Sequence, residues 1–391
     1  MNSSVVIVSY RPHLWLERSL ASVRDQADQV VLVDNGSPDG VVGAVGRRLG
    51  AHVERLPTNR GFAGGVNAGL RVSKGDIVAL LNDDAVAGSE WLSSAAKVLA
   101  DPSVAAVGPK ILFPWPFAEI DLDEDPHFDP PDPRPLGRFV QRIEVDGVEV
   151  PLEALKGPGI HPVEELVVDG SVARRWRWGT GRGAIYVPVP EEASGSGVTV
   201  DGESVPVVRV VDLVNNAGSY LSARGHGGDH GFAAPDDGRF DVAAERFATT
   251  GAAMVARSET FAAIGTFAES FFAYYEDFDW CWRARLAGLT LSYSPEQVVR
   301  HVGGASSGGP AGERVRYLAA RNRIQTLARN APLPVLVSEL SSRVDRPVSK
   351  MAGPLAKRLL MGMAERRSLS RRWTRRPRDV WSAWAGRDEM W

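Results

Sequence analysis

Acidic residues cluster at two places far apart in the chain. Asn82-Asp83-Asp84 ends the apolar run Ile77-Val78-Ala79-Leu80-Leu81. Adjacent carboxylates after a buried strand repel each other and are costly to desolvate unless something positive neutralises them. A hard divalent cation does so, commonly through one or two carboxylates plus substrate phosphates and water. A solvated turn, with Asp84 or Ser89 near a helix start, is the alternative. The second cluster is Tyr274-Tyr275-Glu276-Asp277-Phe278-Asp279-Trp280-Cys281-Trp282-Arg283. Carboxylates set among aromatics should have at least one raised pKa, as a general base needs. The bland alternative makes Asp277 a helix cap and Asp279–Arg283 an i,i+4 ion pair.

Three further groups could join them. In Asn59-Arg60-Gly61-Phe62-Ala63-Gly64-Gly65-Val66-Asn67-Ala68-Gly69, close glycines before a helix would let backbone amides approach an anion, with Arg60 adding charge. The segment fits neither the phosphate-loop nor the dinucleotide fingerprint, and a plain glycine-rich turn is equally consistent. His301 follows a short strand, Val298-Val299-Arg300, and precedes Gly303-Gly304; it is a metal-ligand candidate or a hydrogen-bonded histidine. Cys281, the only cysteine, reads as buried packing and excludes an internal disulfide.

The elements that must position these residues alternate. Val5–Val8, Val30–Val33 and Ile77–Leu81 are continuous apolar runs, and between the first two Leu14, Leu16, Leu20 and Val23 recur at roughly helical spacing. Such runs separated by helices predict a parallel sheet buried on both faces. They end in Ser9-Tyr10-Arg11-Pro12, Asp34-Asn35-Gly36-Ser37 and Asn82-Asp83-Asp84. Polar residues beyond strand carboxyl ends line the ligand crevice of such sheets, so three clusters predict one site.

The chain has 391 residues, 44% hydrophobic and 24% charged, with 45 basic against 48 acidic residues. This suits a globular α/β protein with a sizeable core and supplies no global field for nucleic acid. No signal peptide is visible and no apolar stretch approaches the roughly 18–20 residues of a membrane span, so a cytoplasmic protein is expected. Residues 114–214 read as a β-rich insertion, beginning with a segment rich in proline and aspartate. Residues 331–391 form a basic, Trp-bearing helical tail. Its last part, 357–391, holds ten Arg or Lys against four acidic residues, with Trp373, Trp381, Trp384 and Trp391. It is either a solvated appendage or a peripheral contact to the inner face of an anionic membrane, with Trp at the interface.

In this order, the motifs Val5–Tyr10, Val33–Ser37, Asn59–Asn67, Leu81–Asp84, Gly265-Thr266-Phe267-Ala268-Glu269, Tyr275–Asp279 and His301 resemble family 2 glycosyltransferases, particularly the rhamnosyltransferase-like and galactofuranosyltransferase-like branch. The resemblance implies a GT-A fold, a Rossmann-like mixed sheet flanked by helices. Residues 1–113 would form the nucleotide-sugar half and 215–330 the acceptor half. It also implies an inverting enzyme moving a sugar from dTDP-rhamnose or a UDP-sugar to a hydroxyl of a cell-envelope glycan or lipid-linked acceptor. Ser9, Tyr10, Arg11, Asp34, Asn59, Arg60, Gly61, Asn67, Asn82, Asp83 and Arg283 would surround the donor. Asp84 and His301 would hold Mg²⁺ or Mn²⁺, Asp277 would be the general base, and Glu276 would orient the acceptor. Asn-Asp-Asp stands where many relatives have Asp-x-Asp, and Ala268 replaces a usual acidic residue.

Two other classes compete. A sugar-1-phosphate nucleotidyltransferase would carry a glycine- and arginine-rich signature after the first strand, where this chain has Ser9-Tyr10-Arg11-Pro12-His13. A non-catalytic carbohydrate-binding scaffold would have no need of Asp84, Asp277 and His301 together. Val214-Asn215-Asn216-Ala217-Gly218 is superficially similar to a short-chain dehydrogenase motif, but no Tyr has Lys four residues later.

Overall fold

Along the first strand, Val5 and Ile7 point to one side of the sheet and Val6 to the other, as the two-residue period of a strand requires. All three are buried. Val5 and Ile7 join Leu32, Ile77, Ala79 and Leu81 in a core cluster with Leu16, Leu20, Val23 and Trp91. Val6 joins Val31, Val33, Val78 and Leu80 in a second cluster with Val66, Phe261, Trp280 and Trp282. A sheet covered on both faces accounts for the unbroken apolar runs.

The computed structural model describes residues 1–11, 13–122, 125–129, 132–168, 171–181, 183–303, 313–341 and 352–387. Two compact units divide the chain: residues 1–112, 216–231 and 239–391 form one, and 113–215 with 232–238 the other. Pro12, Gly304 and Trp391 lie outside the described residues.

The first unit is built on a mixed sheet of β1 (Ser3–Ser9), β2 (Gln29–Asp34), β3 (His52–Arg55), β4 (Ile77–Asn82), β5 (Ala85–Ala87), β6 (Val104–Leu112), β7 (Ala244–Glu245), β8 (Ala253–Arg257) and β9 (Thr290–His301). Its path runs β7-β9-β6-β8-β4-β1-β2-β3, with β5 beside β9. The expected parallel pairing holds for β1 with β2 and β4, and β2 with β3. It gives way at β8, which lies antiparallel between β4 and β6. The short strand expected before His301 is the end of the longer β9. Its register against β6 shifts between Ser294 and Val298, where Pro295 lacks an N–H for the ladder. The helices are α1 (Leu14–Arg24), α2 (Val41–Arg48), α3 (Gly61–Val72), α4 (Trp91–Val98), α5 (Ser258–Ile264), α6 (Glu276–Leu286), α7 (Glu313–Asn330), α8 (Leu333–Ser341), α9 (Ala352–Leu369) and α10 (Pro377–Trp384).

The second unit is β-rich, with one four-stranded and two three-stranded sheets whose strands pair antiparallel among the described residues. Ile143, Val145, Val198, Val200, Ile185 and Val187 are fully buried in its core.

The tail turns Trp373, Trp381 and Trp384 inward. Trp381 stacks on Trp282 with centroids 6.0 Å apart, and Trp384 meets the edge of Phe247 at 6.1 Å. Trp373 packs on the same core, and the Arg285 guanidinium lies 4.2 Å from the Trp384 ring centroid. The rings expected at a membrane interface are thus occupied by core packing, because Trp282 and Phe247 offer apolar surface that water would otherwise cover. No helix among the described residues is long and apolar enough to cross a membrane. Replacing Trp381 by Ala is expected to destabilise the protein by about 1–3 kcal/mol, read as a lower urea midpoint. An unchanged midpoint would mean that the tail adds nothing to the fold.

Candidate active site

The ends of β1, β2 and β4 are brought level by their register: Ser9 pairs with Asp34, and Val8 with Asn82. Asp34 is fully buried, and its Oδ1 accepts from the Ser37 amide at 2.8 Å. Its Oδ2 makes no hydrogen bond and lies 3.7 Å from Arg55 Nε. A buried acceptor left open at a strand end suits the hydroxyls of a ribose. Asn35, which the sequence reading passed over, fixes the neighbouring loop. Its Nδ2 donates to Asn59 Oδ1 (3.2 Å) and the Gly61 carbonyl (3.0 Å), while its Oδ1 accepts from the Arg60 amide (2.9 Å). Gly36 is obligatory there: its φ is +77°, and a Cβ would stand 2.5 Å from the Thr58 carbonyl carbon. Tyr10 and Arg11 follow β1, with the Arg11 guanidinium 5.6 Å from the Tyr10 ring centroid.

Three expected donor contacts are already engaged within the protein. Asn67 uses both ends of its amide on Phe267, donating to its carbonyl at 2.8 Å and accepting from its N–H at 3.1 Å. Arg60 pairs with Glu269. Of the two roles open to Arg283, the structure displays the ion pair with Asp279, at 3.0 Å. Its remaining donors reach the carbonyls of Ile264, Gly265 and Thr266, as a guanidinium buried to 3% exposure must.

Asp83 and Asp84 are both buried but face different partners. His13, on the loop before α1 and not singled out in the sequence, lies 3.1 Å from Asp83 Oδ2. That hydrogen-bonding carboxylate raises the His13 pKa against the opposing effect of burial. Asp84 Oδ1 instead lies 3.1 Å from His301 Nε2, which also lies 3.1 Å from Asn82 Nδ2. The pairing of β5 with β9 places them there, because His301 stands opposite Ala85. Two ligand atoms about 2.1 Å from an octahedral ion, at right angles, would be about 3.0 Å apart. The Asp84–His301 separation therefore fits adjacent ligands of one cation. Among the described residues no group of three or more His, Cys, Asp or Glu could hold a metal unaided. Further positions would fall to substrate phosphates and water.

Glu276 and Asp277 open α6 after an unusual loop. Phe272, Tyr274 and Tyr275 have φ of 69°, 69° and 72°, each a positive-φ conformation costing a non-glycine residue about 1–3 kcal/mol. Asp277 Oδ2 accepts from the Gly251 amide and Oδ1 from the Phe278 amide, both at 2.7 Å. Burial raises the Asp277 carboxyl above its ordinary range, and those backbone bonds oppose the rise. Burial, with the Asp277 charge beside it, drives Glu276 well above the usual glutamate value, and its Oε2 has no hydrogen-bond partner. Asp229 was also missed in the sequence. Its Oδ1 accepts from Asn216 Nδ2 (2.7 Å) and Ser219 Oγ (2.9 Å). Although Asp229 touches solvent, desolvation in its recess raises its carboxyl; the Asp277 charge adds to the shift and His301 opposes it.

Asp279 has a different task. It is fully buried, 2.7 Å from both Arg329 Nε and Asn330 Nδ2 as well as bonded to Arg283. Burial alone would raise its carboxyl, but Arg329 and Arg283 overcome this and hold it below the ordinary value. Removing one partner of such a network costs about 3–5 kcal/mol. Asp279→Ala is therefore expected to lose about that much stability in urea unfolding. The Asp279 contribution is present above the unfolded aspartate pKa, near about 3.9, and fades as pH falls through the lower folded value. Unfolding curves of the variant and the parent that coincide at neutral pH would refute this.

Residues 4–147 match the family model described as Glycosyl transferase family 2. Comparison with curated proteins gives no match. Among solved structures, one of GalNAc-T7 with UDP, GalNAc and Mn2+ is 14% identical, with a TM-score of 0.50 over 93% of this chain and 56% of that one. This chain thus spans little more than half of that protein. The mannosyltransferase PcManGT from Pyrobaculum calidifontis, in complex with GDP-Man and Mn2+, is 15% identical, with a TM-score of 0.44 over 95% and 83% of the two chains. At 14% identity the likeness to the GalNAc-T7 structure speaks to fold alone. The chain has the GT-A fold, and its residues 4–147 match glycosyl transferase family 2.

Proposed function

We propose that this protein is an inverting, metal-dependent glycosyltransferase that moves a sugar from a nucleotide-diphosphate donor to a hydroxyl. The observation that carries the reading is the 3.1 Å approach of Asp84 Oδ1 to His301 Nε2 at the end of the nucleotide-type sheet. Asp34, with one buried oxygen open, would take the nucleoside hydroxyls, and Tyr10 and Arg11 would border the base. Asp84 and His301 would hold Mg²⁺ or Mn²⁺, which supplies neutralisation of the charge that gathers on the leaving diphosphate.

Asp277 accepts the acceptor proton as the hydroxyl oxygen bonds to the anomeric carbon and the carbon–oxygen bond to the diphosphate breaks on the opposite face. Its raised pKa brings its basicity closer to working pH. Glu276, whose carboxyl burial pushes well above the usual glutamate value, can in its protonated form donate a hydrogen bond that orients the acceptor. For the donor, dTDP-rhamnose or a UDP-sugar is proposed from motif resemblance, with a cell-envelope glycan or lipid-linked acceptor. With its described tryptophans packed inward, the tail would reach an anionic membrane through its basic residues.

Chelation with EDTA is expected to abolish transfer and Mn²⁺ or Mg²⁺ to restore it; full activity in chelator would overturn the metal assignment. Asp277→Asn should lower kcat by about 10²–10⁴-fold while nucleotide binding persists. In the parent enzyme, kcat/KM should fall as pH drops through a value above the ordinary aspartate pKa, because the base must be ionised. An acid limb at the ordinary aspartate value, or an active Asp277→Asn, would remove Asp277 from the role.

A further inference from the structure

The face that α7 turns into the protein is polar. Asn322, Gln325, Thr326 and Arg329 recur at the i, i+3, i+4, i+7 spacing normally filled by apolar residues. All four are buried. A buried polar side chain destabilises the fold unless it is hydrogen-bonded; Thr326 Oγ1 has no such partner, but Asn322, Gln325 and Arg329 all find partners in the segment that precedes and begins α6. Asn322 Nδ2 reaches three carbonyls of that segment, Phe271 (3.0 Å), Ala273 (2.8 Å) and Tyr274 (2.7 Å). Its Oδ1 accepts from Arg321 Nε at 2.9 Å, and Arg321 Nη2 donates to the same Phe271 carbonyl at 2.6 Å. Gln325 Nε2 donates to Ser270 Oγ at 2.7 Å, and Arg329 holds Asp279 one turn into the helix.

We propose that Asn322 is a positioning residue for the sugar-transfer reaction: its amide gathers the carbonyls of the 271–274 loop and so fixes where α6 begins and where Asp277 stands. The loop carries three non-glycine residues at positive φ, a strain that persists only when its surroundings over-determine it. The Asn322 side chain contacts three of its carbonyls from one fully buried position. An apolar residue there would leave those carbonyls to find other partners, and the loop would relax. Asp277 follows three residues after the last of them.

This inference rests on Asp277 acting as the general base, and the experiment separates the two. Asn322→Ala, Asn322→Gln and Asp277→Asn are to be compared with the parent for kcat, KM for donor, pH profile and thermal stabilisation by UDP with Mn²⁺. A displacement of about 1 Å in the base costs about 10²-fold in rate, so Asn322→Ala should lose about that in kcat. The donor KM and the UDP–Mn²⁺ thermal shift should persist, because Asp34, Asp84 and His301 lie on other elements.

The acid limb of kcat/KM in Asn322→Ala should move down toward the ordinary carboxylate value as water reaches Asp277. The titratable neighbours facing Asp277 are Glu276 and Tyr275 on its own segment, Cys281 one turn on and Asp229 on the adjoining hairpin. None of them is altered. A role confined to stability would lower the melting point without moving that limb. Asn322→Gln keeps the amide donors and should recover part of the rate; it also carries the test if the alanine variant does not fold. Parent-like kcat and pH profile in Asn322→Ala would overturn the proposal, as would a Gln variant no better than Ala. Parent-like activity in Asp277→Asn would instead overturn the base assignment.

Discussion

A charge taken out of water must find its counterpart inside the protein, and the arrangement of the larger unit follows from how four carboxylates meet that demand. Asp279 is surrounded by Arg283, Arg329 and Asn330, a closed network that ties α6 to α7. Asp83 is met by His13. Asp277 is held by two backbone amides and left without a cation among its hydrogen-bond partners. Asp84 faces a histidine whose same nitrogen also meets an asparagine amide. The first two are closed within the protein. The last two are the carboxylates to which the proposed function assigns the cation and the acceptor proton.

The same demand explains why α7 breaks the usual pattern of an amphipathic helix. Burying Asn322, Gln325 and Arg329 requires that every donor have an acceptor, and the acceptors are carbonyls and side chains of the segment before α6, Asp279 in α6 and Glu365 on α9. Apolar packing would hold α7 in place equally well but would not fix a loop whose residues sit at positive φ. Polar contacts are directional, and three converging on one amide leave the loop little freedom.

Much of this was legible in the sequence where the signal is local. The runs at Val5, Val30 and Ile77 are continuous because both sheet faces are covered, and Asp34 and Asn82 stand at their ends because strand ends carry polar residues. The reversed strand at Ala253–Arg257 was not legible: an apolar five-residue run has no feature that records its direction. Asn35, His13, Asp229 and Asn322 were not singled out because each acts through hydrogen bonds or charge across the fold, which leave no spacing to read. The packing of the tail tryptophans was not legible for a related reason. Trp beside Arg has the same composition whether the ring meets lipid or, as Trp381 does, stacks on another Trp in the core.

The central claim is that Asp84 and His301 together grip a divalent cation that the donor diphosphate completes. Calorimetric titration of Mn²⁺ into the protein, with and without UDP, tests it without requiring the acceptor. The account predicts that UDP markedly tightens Mn²⁺ binding in the parent and that the tightening disappears in both Asp84→Ala and His301→Ala. Equal coupling of UDP and Mn²⁺ in parent and variants would contradict it.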